Sequence, residues 1–418
     1  MEPTTIAALV AVSLILLWNL NFLASLLNLK ALDPKVPEEF VGVYDEDQYA
    51  KSQAYTAAGT KFDILQSLIP LLILLAFWFS GGFGALDTWA RGLGFGPTVT
   101  GLIYIGVLYL ASLLLGLPAS LYETFVLEER FGFNKTTPAT FVKDLLISLL
   151  LSAVIGVPLL AGLFWIFSNV PQAWLWAWLF FAAFQLALTY FAPSLILPLF
   201  NKFNPMPEGE LKDAIFACAK KCNFPLTELF IVDGSKRSAK SNAYFTGFGK
   251  KKRIALFDTL IESQSTDELV GVLAHEIGHF QCKHIVKRLV TMTLMSGVFF
   301  FLIGLLTNPN SSAAQLIFEA FKVDEVSIYV GLVLFSILMK PVSRIIGIIS
   351  SARSRKDEFE ADAYAASAQG TPEYLISALK KLSVHNLSNL TPHPLRVFLD
   401  HSHPPTLQRI DALRSLQG

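Results

Sequence analysis

Charged residues are scarce in this chain: Asp, Glu, Lys and Arg make up 16% of 418 residues, against about 25% in an average globular protein. A soluble chain of this length would form two or three domains with solvated surfaces. So low a charge fraction, at a mean hydropathy of +0.50, predicts a lipid environment instead. The few charges also balance, 33 basic against 33 acidic, which gives no sign of nucleic acid or of any other polyanionic partner. Cysteine is equally sparse. Cys218 and Cys222 stand at helical spacing with no second pair, and Cys282 stands alone, so neither a disulfide scaffold nor a Cys-rich structural zinc site is expected; the three read as reduced core thiols. Histidine is missing from the first 274 residues, and all seven copies lie at or after His275. Polar chemistry is therefore expected in the second half.

What the chain does have is apolar length. A membrane helix needs about 20 predominantly apolar residues, and seven stretches qualify: Ile6 to Leu27, Ile64 to Phe83, Val99 to Leu117, Leu145 to Ile166, Trp174 to Leu195, Leu289 to Leu306 and Ile328 to Ile348. The first lacks a preceding Lys or Arg and is too long for a signal-peptide core, so a retained anchor is expected. Basic residues collect in alternate connections: Lys30, Lys35, Lys51 and Lys61 after the first span, Arg130, Lys135 and Lys143 after the third, and the segments after the fifth and seventh. Positive-inside bias then puts the N-terminus outside and both large polar segments in the cytosol. The run "LFNKFNPMPEGEL" marks a boundary, dividing a five-span membrane domain, 1–205, from a domain over 206–418 that holds two further spans.

The second domain contains "AHEIGHFQCKH", Ala274 to His284. Four residues apart on a helix, His275 and His279 stand one above the other and can bind one ion. Glu276 lies about 100° round, where its carboxylate can take a proton from a water at the metal. Ser265 or Thr266 caps the helix, with acidic residues in its first turn. Catalytic zinc needs a third protein ligand and an open position. His284 faces elsewhere, about 140° beyond His279 on a continuous helix, and the long pattern with a third His fails at Ile285. "SRKDEFEADAYAASA" offers a carboxylate: Glu358 for the metal and Asp362, four residues on, to accept from a ligand imidazole. Glu360 points to another face. Two spans separate His279 from Glu358, which returns the chain to the side it left.

With these residues the chain resembles the type I CAAX prenyl proteases, integral-membrane zinc endopeptidases. The resemblance extends over nearly the whole length, through "YETFVLEERFGFNKTTPATFVKD", "SKRSAKSNAYFTGFGKKKRIALFDTLI" and "NLSNLTPHPLRVFLDHSHPPTLQRIDAL". It implies an all-α membrane fold in which about seven helices enclose a water-filled chamber, with a gluzincin-type domain carrying a small β element. The zinc site lies at the cytosolic end, and the helix from Thr266 to His284 runs on towards the sixth span. The resemblance makes His275, His279 and Glu358 the ligands of one Zn2+ per chain and Glu276 the general base. His403 and Arg409 match positions near the scissile carbonyl, and Asn242 matches a strand-edge residue that binds extended substrate. Lys240 departs from the histidine of animal and fungal members, and the tail "LRSLQG" carries no dilysine retrieval signal, so the bacterial inner membrane and the endoplasmic reticulum both remain open.

The expected activity is cleavage near the C-terminus of CAAX-type prenylated proteins at a lipid bilayer. A broad-specificity quality-control metalloprotease shares the same ligands. A non-catalytic transporter or lipid-binding chamber with structural zinc fits poorly: a closed site would use four ligands, mostly Cys, and would have no use for Glu276.

Overall fold

The computed structural model describes residues 2–246 and 252–416; Gly247 to Lys251, within the stretch "SKRSAKSNAYFTGFGKKKRIALFDTLI", and the last two residues of the tail lie outside the described residues. Five long helices come first: α1 (Pro3–Lys30), α2 (Glu46–Phe79), α3 (Pro97–Phe131), α4 (Pro138–Asn169) and α5 (Ala173–Phe200). Proline stands in the first turn of α1, α3 and α4, where its missing N–H breaks no helical bond. Asp45 caps α2, accepting from the Gln48 amide at 2.7 Å. The chain then crosses a small sheet and reaches α6 (Thr266–Gln281) and the sixth span, α7 (His284–Leu306). The seventh expected span is a broken one, α8 (Ile328–Leu338) and α9 (Lys340–Gln369), bent by 55°. Pro341 sits at the bend: it has no N–H to return to the Ile337 carbonyl. Three short helices follow, α10 (Glu373–His385), α11 (Pro394–Asp400) and α12 (Thr406–Ser415).

A solid seven-helix bundle would bury one face of every helix. In the apolar windows of α2 and α3 only 6% of residues are buried, and in those of α4 and α5 none. Little of these spans is fully buried, and where α4, α5 and α7 meet, Leu163, Ala177 and Phe300 form a small apolar cluster. A larger apolar cluster gathers at the end of α2: Trp78 stacks on Phe321, ring centroids 4.1 Å apart, and donates through Nε1 to the Ala320 carbonyl at 2.9 Å. These contacts tie α2 to the connection between the sixth and seventh spans.

Outside the spans, β1 (Phe203–Pro205), β2 (Leu226–Val232), β3 (Ala243–Thr246) and β4 (Lys252–Phe257) form one sheet in the order β1-β2-β4-β3. β2 and β4 pair in parallel, while β1 and β3 join antiparallel at the two margins. Ile254 and Leu256 pack with Leu269, Leu273 and Ile277 of α6. Ala274, on another face of α6, joins a second cluster with Tyr44, Tyr49, Leu375 and Ile410. Wedged between two apolar clusters, α6 has one free stripe, and that stripe holds the histidines.

The start of α6 is pinned as well. Ser265 and Glu268 form a reciprocal capping box, and the buried Glu268 carboxylate also accepts from Ser377 Oγ at 2.6 Å and Lys381 Nζ at 2.7 Å on α10. Burial pushes this carboxyl up, but Lys381, Ser377 and the Ser265 amide outweigh it and hold it below 4.5. A depressed folded value stabilises the protein above the unfolded value and is lost as pH falls through the folded one. Glu268→Ala is therefore expected to cost about 2 kcal/mol at pH 7, and the gap to wild type should close as pH drops below 4.5, read as thermal midpoints in detergent. A gap that stays constant down to pH 3 would refute this.

Candidate active site

The histidine stripe of α6 meets α9 at close range, and a glycine makes that possible. A Cβ on Gly278 would stand 3.0 Å from the Ala361 Cα and carbonyl oxygen and 3.2 Å from Tyr364 Cβ, contacts that only separation of the two backbones would relieve. Across this contact three side chains converge. His275 Nε2 and His279 Nε2 lie 3.2 Å apart; Glu358 Oε1 is 3.2 Å from His279 Nε2, and Glu358 Oε2 is 3.5 Å from His275 Nε2. A tetrahedral zinc with bonds of about 2.0–2.1 Å has ligand-to-ligand edges of about 3.3 Å. Glu358 Oε2 is buried and accepts no hydrogen bond. The donor set and its spacing therefore fit a metal ion.

Behind this triangle sits a fixed support. His275 Nδ1 donates to Asp362 Oδ1 at 2.8 Å, which leaves the Nε2 lone pair facing the metal position. Asp362 is itself gripped by Arg409, Nε to Oδ2 at 2.8 Å and Nη2 to Oδ1 at 2.6 Å, and Arg409 Nη1 lies 3.3 Å from Glu358 Oε2. Arg409 is thus a buried back wall, beneath the ligands. His403 is the opposite case: its side chain is exposed, and its Nε2 stands 3.4 Å from Glu358 Oε1 at the open edge. Arg355 shapes the loop that carries it, donating to the carbonyls of Val397 at 3.1 Å and His401 at 2.6 Å. Glu276 faces the same space. Burial pushes its carboxyl up from the ordinary value, opposed by His275, His279 and Arg409.

Asn242 is not part of this cluster. It is exposed and leads into β3, its Oδ1 accepting from the Ala243 amide at 2.8 Å, and β3 forms the sheet margin with its outer side unpaired among the described residues. Lys240, two residues before Asn242, donates to Tyr55 Oη at 2.7 Å and pairs with Glu128 at 3.0 Å, both on spanning helices.

Two expectations fail, for one reason. The helix does not run on from Thr266 to His284: it ends at Gln281, and Lys283 takes a left-handed φ of 59° before α7 begins. That turn swings His284 back, so it does not face elsewhere. Its Nδ1 lies 3.0 Å from His279 Nδ1, and its Nε2 lies 3.2 Å from Glu360 Oε2 and 3.6 Å from Asp357 Oδ1. Sequence reasoning missed this group because a left-handed residue other than glycine or asparagine leaves little trace in a sequence.

Comparisons with known proteins bear on the family and the fold. The family model described as the CAAX prenyl protease N-terminal, five membrane helices, matches residues 25–202, and that of peptidase family M48 matches residues 205–417. A rice CAAX prenyl protease 1 homolog is 36% identical over 389 residues, covering 91% of this chain and 90% of the relative. CAAX prenyl protease 1 of Saccharomyces cerevisiae is 36% identical over 406 residues, covering 92% and 89%. The crystal structure of S. mikatae Ste24p superposes with a TM-score of 0.89 at 35% identity, covering 97% of this chain and 98% of that one. Matched end to end in sequence and in fold, and bringing His275, His279 and Glu358 together as a group able to hold a metal ion, the chain belongs to peptidase family M48 and is a multi-pass membrane metalloendopeptidase of the CAAX prenyl protease type.

Proposed function

We propose that the protein uses one zinc ion, held by His275, His279 and Glu358, to cut prenylated CAAX-type proteins near their C-terminus, on the cytosolic side of the membrane. The convergence of three ligand atoms at tetrahedral edge lengths carries the zinc assignment, and the relatives' names support the substrate class. Alternation of basic connections supports the cytosolic placement, with residues 1–205 forming the membrane part and 206–418 the catalytic part.

A bound zinc ion supplies Lewis acidity for the scissile carbonyl and acidifies a water beside it. Glu276 takes a proton from that water as its oxygen adds to the carbonyl carbon. The same carboxyl then delivers the proton to the leaving nitrogen as the C–N bond breaks. His403, exposed at the open edge, donates to the oxygen that gains negative charge. Asp362 fixes the tautomer of His275, and Arg409 holds Asp362 and faces Glu358. The unpaired margin of β3, entered at Asn242, takes an extended peptide as an added strand.

The deciding experiment compares kcat/KM for a farnesylated CAAX peptide and for the same peptide without lipid. A tenfold or greater preference for the lipidated form, corresponding to about 1.4 kcal/mol, is expected. Equal values would favour a broad quality-control protease working through the same ligands.

A further inference from the structure

The two metal-binding histidines are supported differently. His275 reaches a carboxylate directly, through Nδ1 to Asp362 at 2.8 Å. Among the described residues His279 Nδ1 meets no carboxylate but another imidazole, that of His284, at 3.0 Å. We propose that His284 is a positioning residue for His279, forming a chain from the metal ligand through a second imidazole to Glu360 and Asp357. The inference rests on the zinc reading above.

Proton placement follows from that reading. If His279 Nε2 offers its lone pair to a metal, its Nδ1 carries the hydrogen and donates. His284 Nδ1 must then accept, which leaves the His284 hydrogen on Nε2. That nitrogen points at Glu360 Oε2, 3.2 Å away, with Asp357 Oδ1 at 3.6 Å. Every donor in the chain meets an acceptor, and each tautomer is fixed by the next group along. His284 is 2% exposed, so an unsatisfied ring nitrogen there would be costly. The left-handed Lys283 makes the contact possible, since it is the break between α6 and α7 that turns His284 back onto His279. His284 is also the first residue of the sixth span, so the seating of α7 and the orientation of His279 are tied together.

One competing use of the same side chains exists. Ligand atoms of Cys282, His284 and Glu360 lie within 4.8 Å of one another and resemble a second metal site. A neutral imidazole has only one free lone pair, and here His279 takes it. A second ion on His284 would therefore require breaking the chain to His279.

The test uses full-length protein in detergent, reading zinc affinity by chelator competition and the visible bands of the cobalt-substituted form. His284→Ala is expected to weaken zinc about 10–100-fold and to shift the cobalt bands. His284→Asn, whose amide oxygen replaces Nδ1 as acceptor, should recover most of that loss. Glu360→Gln should weaken zinc a few-fold, and thermal midpoints of the metal-free variants separate this effect from simple unfolding. Wild-type affinity in His284→Ala, or an Asn variant no better than Ala, would overturn the proposal. So would two zinc ions in wild type falling to one in His284→Ala, with the remaining ion bound as tightly as before, because that result assigns a second metal site. Should His284→Ala fail to fold, a Glu360→Gln cobalt spectrum identical to wild type overturns the relay. A wild type that binds no zinc fails the zinc reading itself, a distinguishable result.

Discussion

Glu276→Gln is expected to keep its zinc and lose about a thousandfold of its cleavage rate. Gln has the same length and nearly the same volume, so the packing of α6 between its two apolar clusters is unchanged. His275, His279 and Glu358 keep their positions, because among the described residues they are held by one another, by Asp362 and by Arg409. An amide cannot take a proton from water at neutral pH, and general-base catalysis contributes about 10²–10⁴-fold. Stability should hold or rise, since the variant no longer places an ionisable carboxyl in a site whose burial disfavours its charged form. Zinc content, the thermal midpoint and single-turnover cleavage of the farnesylated peptide, measured side by side, check all three statements. Cleavage within tenfold of wild type would remove Glu276 from the mechanism. Loss of zinc would instead mean that the carboxylate is a ligand.

The sequence made the membrane architecture legible because an apolar run is a direct physical requirement of a bilayer: five of the seven expected stretches fall within single long helices, and a sixth, Ile64 to Phe83, overruns the end of α2 at Phe79. That His275 and His279 come together was legible for a similar reason: a four-residue interval on a helix fixes two side chains on one face whatever surrounds them. Glu358 and Asp362 were legible as a pair by the same interval. The features that escaped notice depend on breaks in regularity. Pro341 was visible, yet the apolar run continues through it, and hydropathy alone cannot register a 55° bend. Lys283 carries no glycine or proline signal, so the sequence reads as a continuous helix that points His284 away from the site. Gly278 could be read as part of a motif, but that it sits against Ala361 depends on how two distant helices pack.

Arg409→Ala is expected to be the most destabilising single change near the site. Its guanidinium makes two parallel bonds to Asp362, and the carboxylates of Asp362 and Glu358 are 2% and 3% exposed. Removing the cation leaves two buried carboxylates without it, and breaking a buried pair from one side costs about 3–5 kcal/mol. Zinc affinity should fall with it, because Asp362 loses the clamp that aims His275. The resemblance alone set Arg409 near the scissile carbonyl, whereas in the structure all three of its terminal nitrogens point into the support beneath the ligands. Arg409→Lys separates these roles. Lys keeps the charge but lacks the planar fork, so a supporting Arg409 predicts a metal-free thermal midpoint and a zinc affinity both between those of wild type and Arg409→Ala. An Arg409 that acts only on the substrate predicts wild-type midpoint and zinc affinity for Arg409→Lys, with the whole loss in kcat. The bidentate geometry favours the first outcome, since a single ammonium cannot reproduce both bonds to Asp362 and still face Glu358.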